Sequence, residues 1–368
     1  MIPNESAVYW LWMQRVFGPC CARFCELLRT YESAKNACED RNGAAFARLL
    51  TPAELKRARA NSPEDCADVA ESCARRGIRL LTYADDAYPP LLRETRVPPA
   101  LLFVTGDVGA LKTLCVAGVG ARHDTPYGRD AVRRICEPLA KAGVTLVSGL
   151  AYGTDAEVHR AALRAGGKTV AVLGNAIDET YPYEHRGLRV EIERTGCAVS
   201  EYEPGTKTSR YLFPQRNRIV AGLSRAVVIF EAAKRSGTMI TADWALGDGR
   251  EVFAVPGNIT NPQSEGTNAL LRQGATPATS ALDLLEAVSL RGLAEARAAD
   301  EPGSPGGGKP DLPDGPVAAL LRDGPLSLDE LIVRAKLPAH ALLAELTMLE
   351  IDGVVRTLPG SRFELAAR

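Results

Sequence analysis

Two glycine turns and one basic, aromatic segment carry the residues that could do chemistry. Residues 115–128 read CVAGVGARHDTPYG. An apolar run leads into Gly118 and Gly120, and Arg122 follows. A strand that turns through glycines into a helix aims backbone amides at an anion, and Arg122 adds a full charge. As a dinucleotide fingerprint the loop is incomplete: GxGxxG would put its third glycine where His123 stands, and it needs an acid at the end of the next strand for the ribose hydroxyls. That next strand segment, VTLVSGL, ends in Ser148 and Gly149 without a carboxylate. The cofactor half of the motif is missing and the phosphate half remains, so no cofactor is expected. Glycines that merely let a strand turn tightly into a helix are the other reading.

The second turn, SGLAYGTDAEVH (148–159), sets Asp155 at the start of a helix. Ser148, Asp155 and His159 have the residue types of a hydrolytic triad. They share one short segment and lack a GxSxG elbow, which argues against a nucleophile set against its base. In KTSRYLFPQRNRIVAGLSR (207–225), cations and rings interleave: Lys207, Arg210, Tyr211, Phe213, Arg216, Arg218 and Arg225. Cations can track phosphates while rings stack on unpaired bases, the pattern of a single-strand binder. A solvated basic loop with Phe213 tucked into the core fits the same residues. Beyond the strand-end Glu231, Lys234 and Arg235 precede Ser236 and Gly237 at another helix start, suited to an anion or to simple capping by Ser236 and Thr238.

Regular elements must position these loops. The runs LCVAGVG, VTLVSGL, KTVAVLG, CAVSEY, AVVIFEA and EVFAVPG are apolar without alternation. Helical patterns at Tyr127 to Ala142, Asp155 to Ala165, Tyr183 to Thr195 and Ser236 to Gly247 separate most of them. Strands of this kind, each feeding a helix, predict an α/β fold with a doubly wound, mostly parallel sheet covered on both faces. Residues 1–77 predict a helical domain whose Gly18-Pro19 turn is compatible with a helix-hairpin-helix. Residues 78–290 predict the α/β domain, with LLTY and ALLFVTGD as entering strands. Residues 291–316, rich in glycine and proline, read as a flexible linker. Residues 317–368 predict a winged-helix-like unit: three helices, the second opened by a Ser327 to Glu330 capping box, then a hairpin around Pro359-Gly360. Its third helix carries His340, Glu345 and Glu350 without lysine or arginine, which suits a protein partner or dimerisation better than the major groove.

Of the 368 residues, 46% are hydrophobic and 24% charged, with a formal net charge of −1. Any nucleic-acid binding must therefore come from a local patch. The nine cysteines include no CxxC pair, so zinc or a disulfide framework is not supported by spacing, and reduced, mostly buried thiols are expected. No apolar run reaches the length of a membrane span and the N-terminus has no secretory pattern, which predicts a cytoplasmic protein.

GVGARHDTPYG, VSGLAYGTDAEVH, GGKTVAVLG, FPQRNRIVAGLS, SGTMITADWALGDGREVFAVPGN and EGTNALLRQGA, in this order, resemble the DprA/Smf family of DNA-processing proteins. The resemblance covers about residues 80 to 288, with FPQRNRIVAGLS as its most specific motif. It implies an extended Rossmann-like domain that binds single-stranded DNA without catalytic turnover, protects incoming strands in natural transformation, helps load the RecA recombinase and works as a homodimer. By motif it implies that Arg122, Lys168 and Arg210 meet phosphates and that Phe213 stacks on a base. Arg216 and Asn217, within the signature, are read as partly holding the pocket together. Gly120, Ser148, Gly149, Ser236 and Gly237 complete the expected single-strand site. The family often has a serine before the tyrosine of the first loop, and GIDTxAH where this chain has GTDAEVH; neither departure removes a charge or a glycine. The alternative is a nucleotide-processing enzyme of the phosphoribohydrolase type, whose PGGxGT loop and catalytic glutamate are not found here.

Overall fold

A computed structural model describes residues 5–288 and, beyond them, 317, 320–335, 342, 345, 346, 349, 354–358 and 362–365. Six helices come first: α1 (Glu5–Phe17), α2 (Arg23–Tyr31), α3 (Ala34–Glu39), α4 (Ala44–Leu49), α5 (Pro52–Ala60) and α6 (Pro63–Arg75). Local chemistry sets where the last two start. Thr51 and Ser62 each accept the amide three residues on, while Glu54 and Asp65 return to the cap amide; Pro52 and Pro63 occupy first-turn positions that need no N–H.

The strands are β1 (Arg79–Thr82), β2 (Leu101–Gly106), β3 (Cys115–Val119), β4 (Thr145–Ser148), β5 (Thr169–Leu173), β6 (Cys197–Ser200), β7 (Ala226–Ile229), β8 (Glu251–Ala254) and β9 (Thr276–Pro277). Between them run α7 (Pro90–Arg93), α8 (Pro126–Lys141), α9 (Thr154–Arg164), α10 (Arg186–Thr195), α11 (Leu212–Gly222), α12 (Gly237–Gly247) and α13 (Glu265–Arg272). They form one sheet of order β1-β2-β6-β5-β4-β3-β7-β8-β9. β3 to β9 run parallel to one another, β2 pairs antiparallel with β6, and β1 pairs antiparallel with β2 at the edge. The fold is thus the doubly wound, mostly parallel one expected. Strands β4, β5 and β6 step away from β3 on one side; β7, β8 and β9 lie on its other side. The crevice at the carboxyl ends of β3 and β7 is therefore a topological switch point, where open α/β sheets bind ligands.

Alternation along each strand divides the core between two faces. Val170 and Val172 of β5 pack with Ile219 and Val220 of α11 and Ala242 and Ala245 of α12. Ala171 and Leu173 face the other way, onto a cluster holding Trp10, Trp12, Phe24, Phe46 and Ile192. On that same face α8 and α9 cover Val116, Leu146 and Val228. The N-terminal helices thus share a core with the sheet, and contacts divide the chain into Met1–Ala298 and Ala299–Arg368.

A buried ion pair helps fix this join. Arg218 Nη2 donates to Glu201 Oε1 at 2.5 Å, and both side chains are almost fully buried. The Cys20 amide reaches the same Glu201 oxygen at 3.2 Å, and Gln14 Nε2 donates to the Glu201 carbonyl at 2.5 Å. Six of the nine cysteines are buried.

In the C-terminal unit, Ser327 and Glu330 form the expected capping box at the start of the helix Leu328–Ala335. Val355–Leu358 and Arg362–Leu365 pair as an antiparallel hairpin, and Leu326–Ser327 adds a third strand. The linker expected at 291–316, most of the third C-terminal helix and Pro359-Gly360 lie outside the described residues. Among the described residues no helix is long and apolar enough to cross a membrane.

Candidate functional site

Three loops at the switch point are tied to one another before any ligand is considered. The Thr154 amide donates to the Ala121 carbonyl at 3.1 Å, and Thr238 Oγ1 donates to the Gly120 carbonyl at 3.0 Å. Gly153 permits the first contact: its φ is +74°, and a Cβ there would lie 2.4 Å from the Ala121 oxygen. Farther along, Glu231 at the end of β7 accepts the Thr125 amide at 2.9 Å and the Thr125 hydroxyl at 2.6 Å. Thr125 in turn caps α8 through the Gly128 amide at 3.1 Å. The β3 loop is held at both ends.

These loops and α11 enclose a cleft of about 360 Å³. Gly120 and Arg122 line it from the β3 loop, Arg210, Phe213, Arg216 and Asn217 from the α11 segment, and Ser236 and Gly237 from the start of α12. Arg122 is exposed, and its guanidinium carbon lies 5.7 Å from the centroid of the Phe213 ring, within cation–π range. Arg210 is also exposed; it stacks at 5.1 Å on Tyr211 and donates to that hydroxyl at 3.0 Å. His123 and Asp155 complete the charged and titratable lining.

Arg216 behaves differently. It is 4% exposed, and its Nη1 donates to the Gly149 carbonyl at 2.6 Å and to the Val172 carbonyl. Nε reaches Asn217 Oδ1 at 3.2 Å, and Asn217 Nδ2 donates to the Gly237 carbonyl at 3.2 Å. Burial lowers the Arg216 pKa while the nearby Asp155 carboxylate opposes that shift. Asp155, buried, accepts the Ala151 amide at 3.4 Å. Burial pushes its carboxyl above the ordinary carboxylate range, and Arg216 and Arg122 pull it back.

At α12 the capping reading does not hold for Ser236. Its side chain caps no amide, and its buried Oγ has no hydrogen-bond partner. Thr238 bonds the β3 loop in place of its own helix. The Met239 amide donates to the Ser236 carbonyl at 3.1 Å, which leaves the amides of Gly237 and Thr238, both in the cleft lining, to a ligand.

Three expected residues do not line the cleft. Ser148 is fully buried in the sheet, and its Oγ donates to the Gly118 carbonyl at 2.7 Å. Gly149 lies beneath the lining, where its carbonyl receives Arg216. Lys168 precedes β5, so it sits at the amino ends of the parallel strands, away from the cleft at their carboxyl ends. There it pairs with Asp107 at 3.1 Å. The segment 207–225 is no solvated loop: Leu212–Gly222 is helical, with Pro214 in its first turn, and Arg218 is buried against Glu201.

The triad geometry is absent too. His159 Nδ1 faces Thr169 Oγ1 at 2.7 Å, and burial pushes its imidazole down to about 3. Among the described residues, no group of three His, Cys, Asp or Glu side chains could hold a metal ion. The sequence reading assigned no role to Glu231 or Tyr181. Position at a strand end was the signal for the first. For Tyr181, whose ring lies 5.3 Å from Phe213, the Tyr-Pro-Tyr run was the signal.

Fold and cleft together define an extended Rossmann-like protein with an anion-suited site at its switch point. A family model described as DNA recombination-mediator protein A matches residues 79–289, and one described as DprA winged helix domain matches residues 295–361. The putative DNA processing protein DprA of Mycobacterium tuberculosis is 35% identical over 97% of this chain and 94% of its own length. Protein Smf of Escherichia coli is 39% identical over 78% of this chain and 77% of its own. The X-ray structure of DNA processing protein A from Streptococcus pneumoniae superposes with a TM-score of 0.67 at 32% identity, over 78% of this chain and 98% of that one. A Helicobacter pylori DNA processing protein A, whose structure describes its single-stranded DNA binding mode, superposes with a TM-score of 0.53 at 30% identity, over 58% and 97%. The chain belongs to the DprA/Smf family.

Proposed function

We propose that the cleft binds single-stranded DNA, holding phosphates with Arg122, Arg210 and the amides of Gly237 and Thr238 at the start of α12 while Phe213 stacks on a base. The observation that carries this reading is the pairing of exposed Arg122 with the Phe213 ring at 5.7 Å inside a concave site. A cation above a ring serves phosphate and base together, and only an unpaired base presents its face to a ring in a cleft. Membership of a recombination-mediator family and the likeness to the H. pylori protein support it.

The finer role follows the family resemblance. The protein acts without turnover as a recombination mediator in the cytoplasm: as a homodimer it shields incoming single strands and passes them to RecA recombinase. The phosphoribohydrolase alternative is not favoured. Among the described residues, the only carboxylate lining the cleft is Asp155, which is buried and shifted toward its neutral form, a poor start for a catalytic carboxylate that must stay charged.

Gel-shift titration with labelled single-stranded and duplex oligonucleotides tests the proposal. Single strands bind more tightly, and salt weakens the binding. Preference for duplex, or free base released from a nucleotide, refutes it.

A further inference from the structure

We propose that the bound strand does not end in the cleft but continues over Tyr181 onto a second stacking platform made by Tyr183 and Arg186. This rests on the single-strand reading above and extends its path. The Tyr181 ring lies 5.3 Å from Phe213, so aromatic surface continues from the cleft to Tyr181, and Tyr183 follows two residues on. Tyr181 is 46% exposed and Tyr183 70% exposed. Single exposed apolar residues are ordinary on protein surfaces; two exposed tyrosines separated by one residue, the first packed on the ring of a binding cleft, are not. Arg186 lies 5.1 Å from the Tyr183 ring centroid and donates to its hydroxyl at 3.1 Å. This repeats the pairing of Arg122 with Phe213 and of Arg210 with Tyr211. In each pair the cation occupies one side of the ring and serves a phosphate, leaving the ring able to take a base.

The adjoining acid is already engaged: Glu184 accepts the Tyr152 hydroxyl at 2.7 Å. Tyrosine and arginine are also favoured at protein interfaces. Continuity with Phe213 is what selects the strand as occupant.

The test is a length series. The full chain is titrated with labelled oligothymidylates from about 3 to about 30 nucleotides, for wild type, Tyr183→Ala, Tyr183→Phe and Arg186→Ala. Tyr183→Ala and Arg186→Ala leave the shortest strands unaffected and weaken the longest by about 5- to 20-fold, whereas Tyr183→Phe, which keeps the ring, binds like wild type. Equal affinity of wild type and Tyr183→Ala at every length overturns the inference. So does a loss that is the same at all lengths, or a change in oligomeric state without a length-dependent loss. Absence of binding by wild type at any length is a separate result, and it removes the single-strand reading itself.

Discussion

Arg216 Nη1 donates to the carbonyl of Gly149 at 2.6 Å, and the same nitrogen reaches the carbonyl of Val172. One guanidinium on α11 therefore ties down the chain where it leaves β4 and near the end of β5. The fit is tight enough that a Cβ at Gly149 would lie 2.3 Å from Arg216 Nη1. Arg216→Ala leaves two buried carbonyls without this donor, and a destabilisation of about 3 kcal/mol is expected. Arg122, exposed in the same cleft, has no such duty, and Arg122→Ala melts like wild type. Thermal unfolding of the two variants checks the contrast; equal melting temperatures for both would contradict it.

Binding separates along a different line. Arg122→Ala and Arg210→Ala each remove one phosphate cation, so each weakens single-strand binding across all sequences and lowers the salt slope by about 0.7. Phe213→Ala removes stacking, with a loss of about 1–3 kcal/mol and little change in salt slope. Titrations at three or more salt concentrations distinguish the two. A Phe213→Ala variant whose slope falls as much as that of Arg122→Ala would place the ring outside the base contact.

Lys168→Ala is expected to bind single strands as wild type does, despite the family motif that points to this lysine. Its ammonium pairs with Asp107 at the surface, at the amino end of β5. An exposed pair of this kind contributes little to stability, on the order of 1 kcal/mol or less. A gel shift showing a clear loss for Lys168→Ala would mean that the strand also passes the amino ends of the sheet.

Lys168 also shows what the sequence could and could not disclose. The apolar runs were legible as parallel strands because both faces are buried, and the glycine turns marked their carboxyl ends. Strand polarity was legible as well: Gly120 and Gly149 follow their runs, whereas Lys168 precedes its own. Which strand neighbours which is not a local property, so the switch point beside β3 emerges only from the pairing of β3 with β7. Nor did any local pattern mark α11, whose arginines are buried by distant partners: Arg218 by Glu201 and Arg216 by the carbonyls of Gly149, just after β4, and Val172, within β5. Basic residues in a row look solvated until those partners are known.

Glu231 tests the preorganisation of the β3 loop. Its carboxylate accepts both the amide and the hydroxyl of Thr125, which fixes the loop that carries Arg122. Glu231→Ala strands these donors, and a stability loss of about 1–3 kcal/mol is expected together with weaker single-strand binding. Glu231→Gln keeps an acceptor and recovers part of both. Calorimetry and oligonucleotide titration on the same samples suffice, and a fully stable Glu231→Ala with normal affinity rules the anchor out.

Asp155 gives the cleft a pH dependence whose sign is fixed by geometry. Burial raises its carboxyl pKa above the ordinary value of 3.8, against the pull of Arg216 and Arg122. A phosphate entering the same cleft raises that pKa further, because two like charges disfavour each other. Protonation and binding therefore promote one another, and by linkage the affinity must fall as pH rises through the shifted pKa. The exposed imidazole of His123 lines the same cleft. The experiment is best done in a His123→Gln background, with affinity measured from about pH 4.5 to about pH 8. Affinity declines with pH in that background and becomes flat once Asp155→Asn is added, since the amide keeps an acceptor for the Ala151 amide but carries no charge. A flat profile before Asp155 is replaced would show that the carboxyl holds one protonation state throughout, and the electrostatic coupling between Asp155 and the bound phosphate would have to be abandoned.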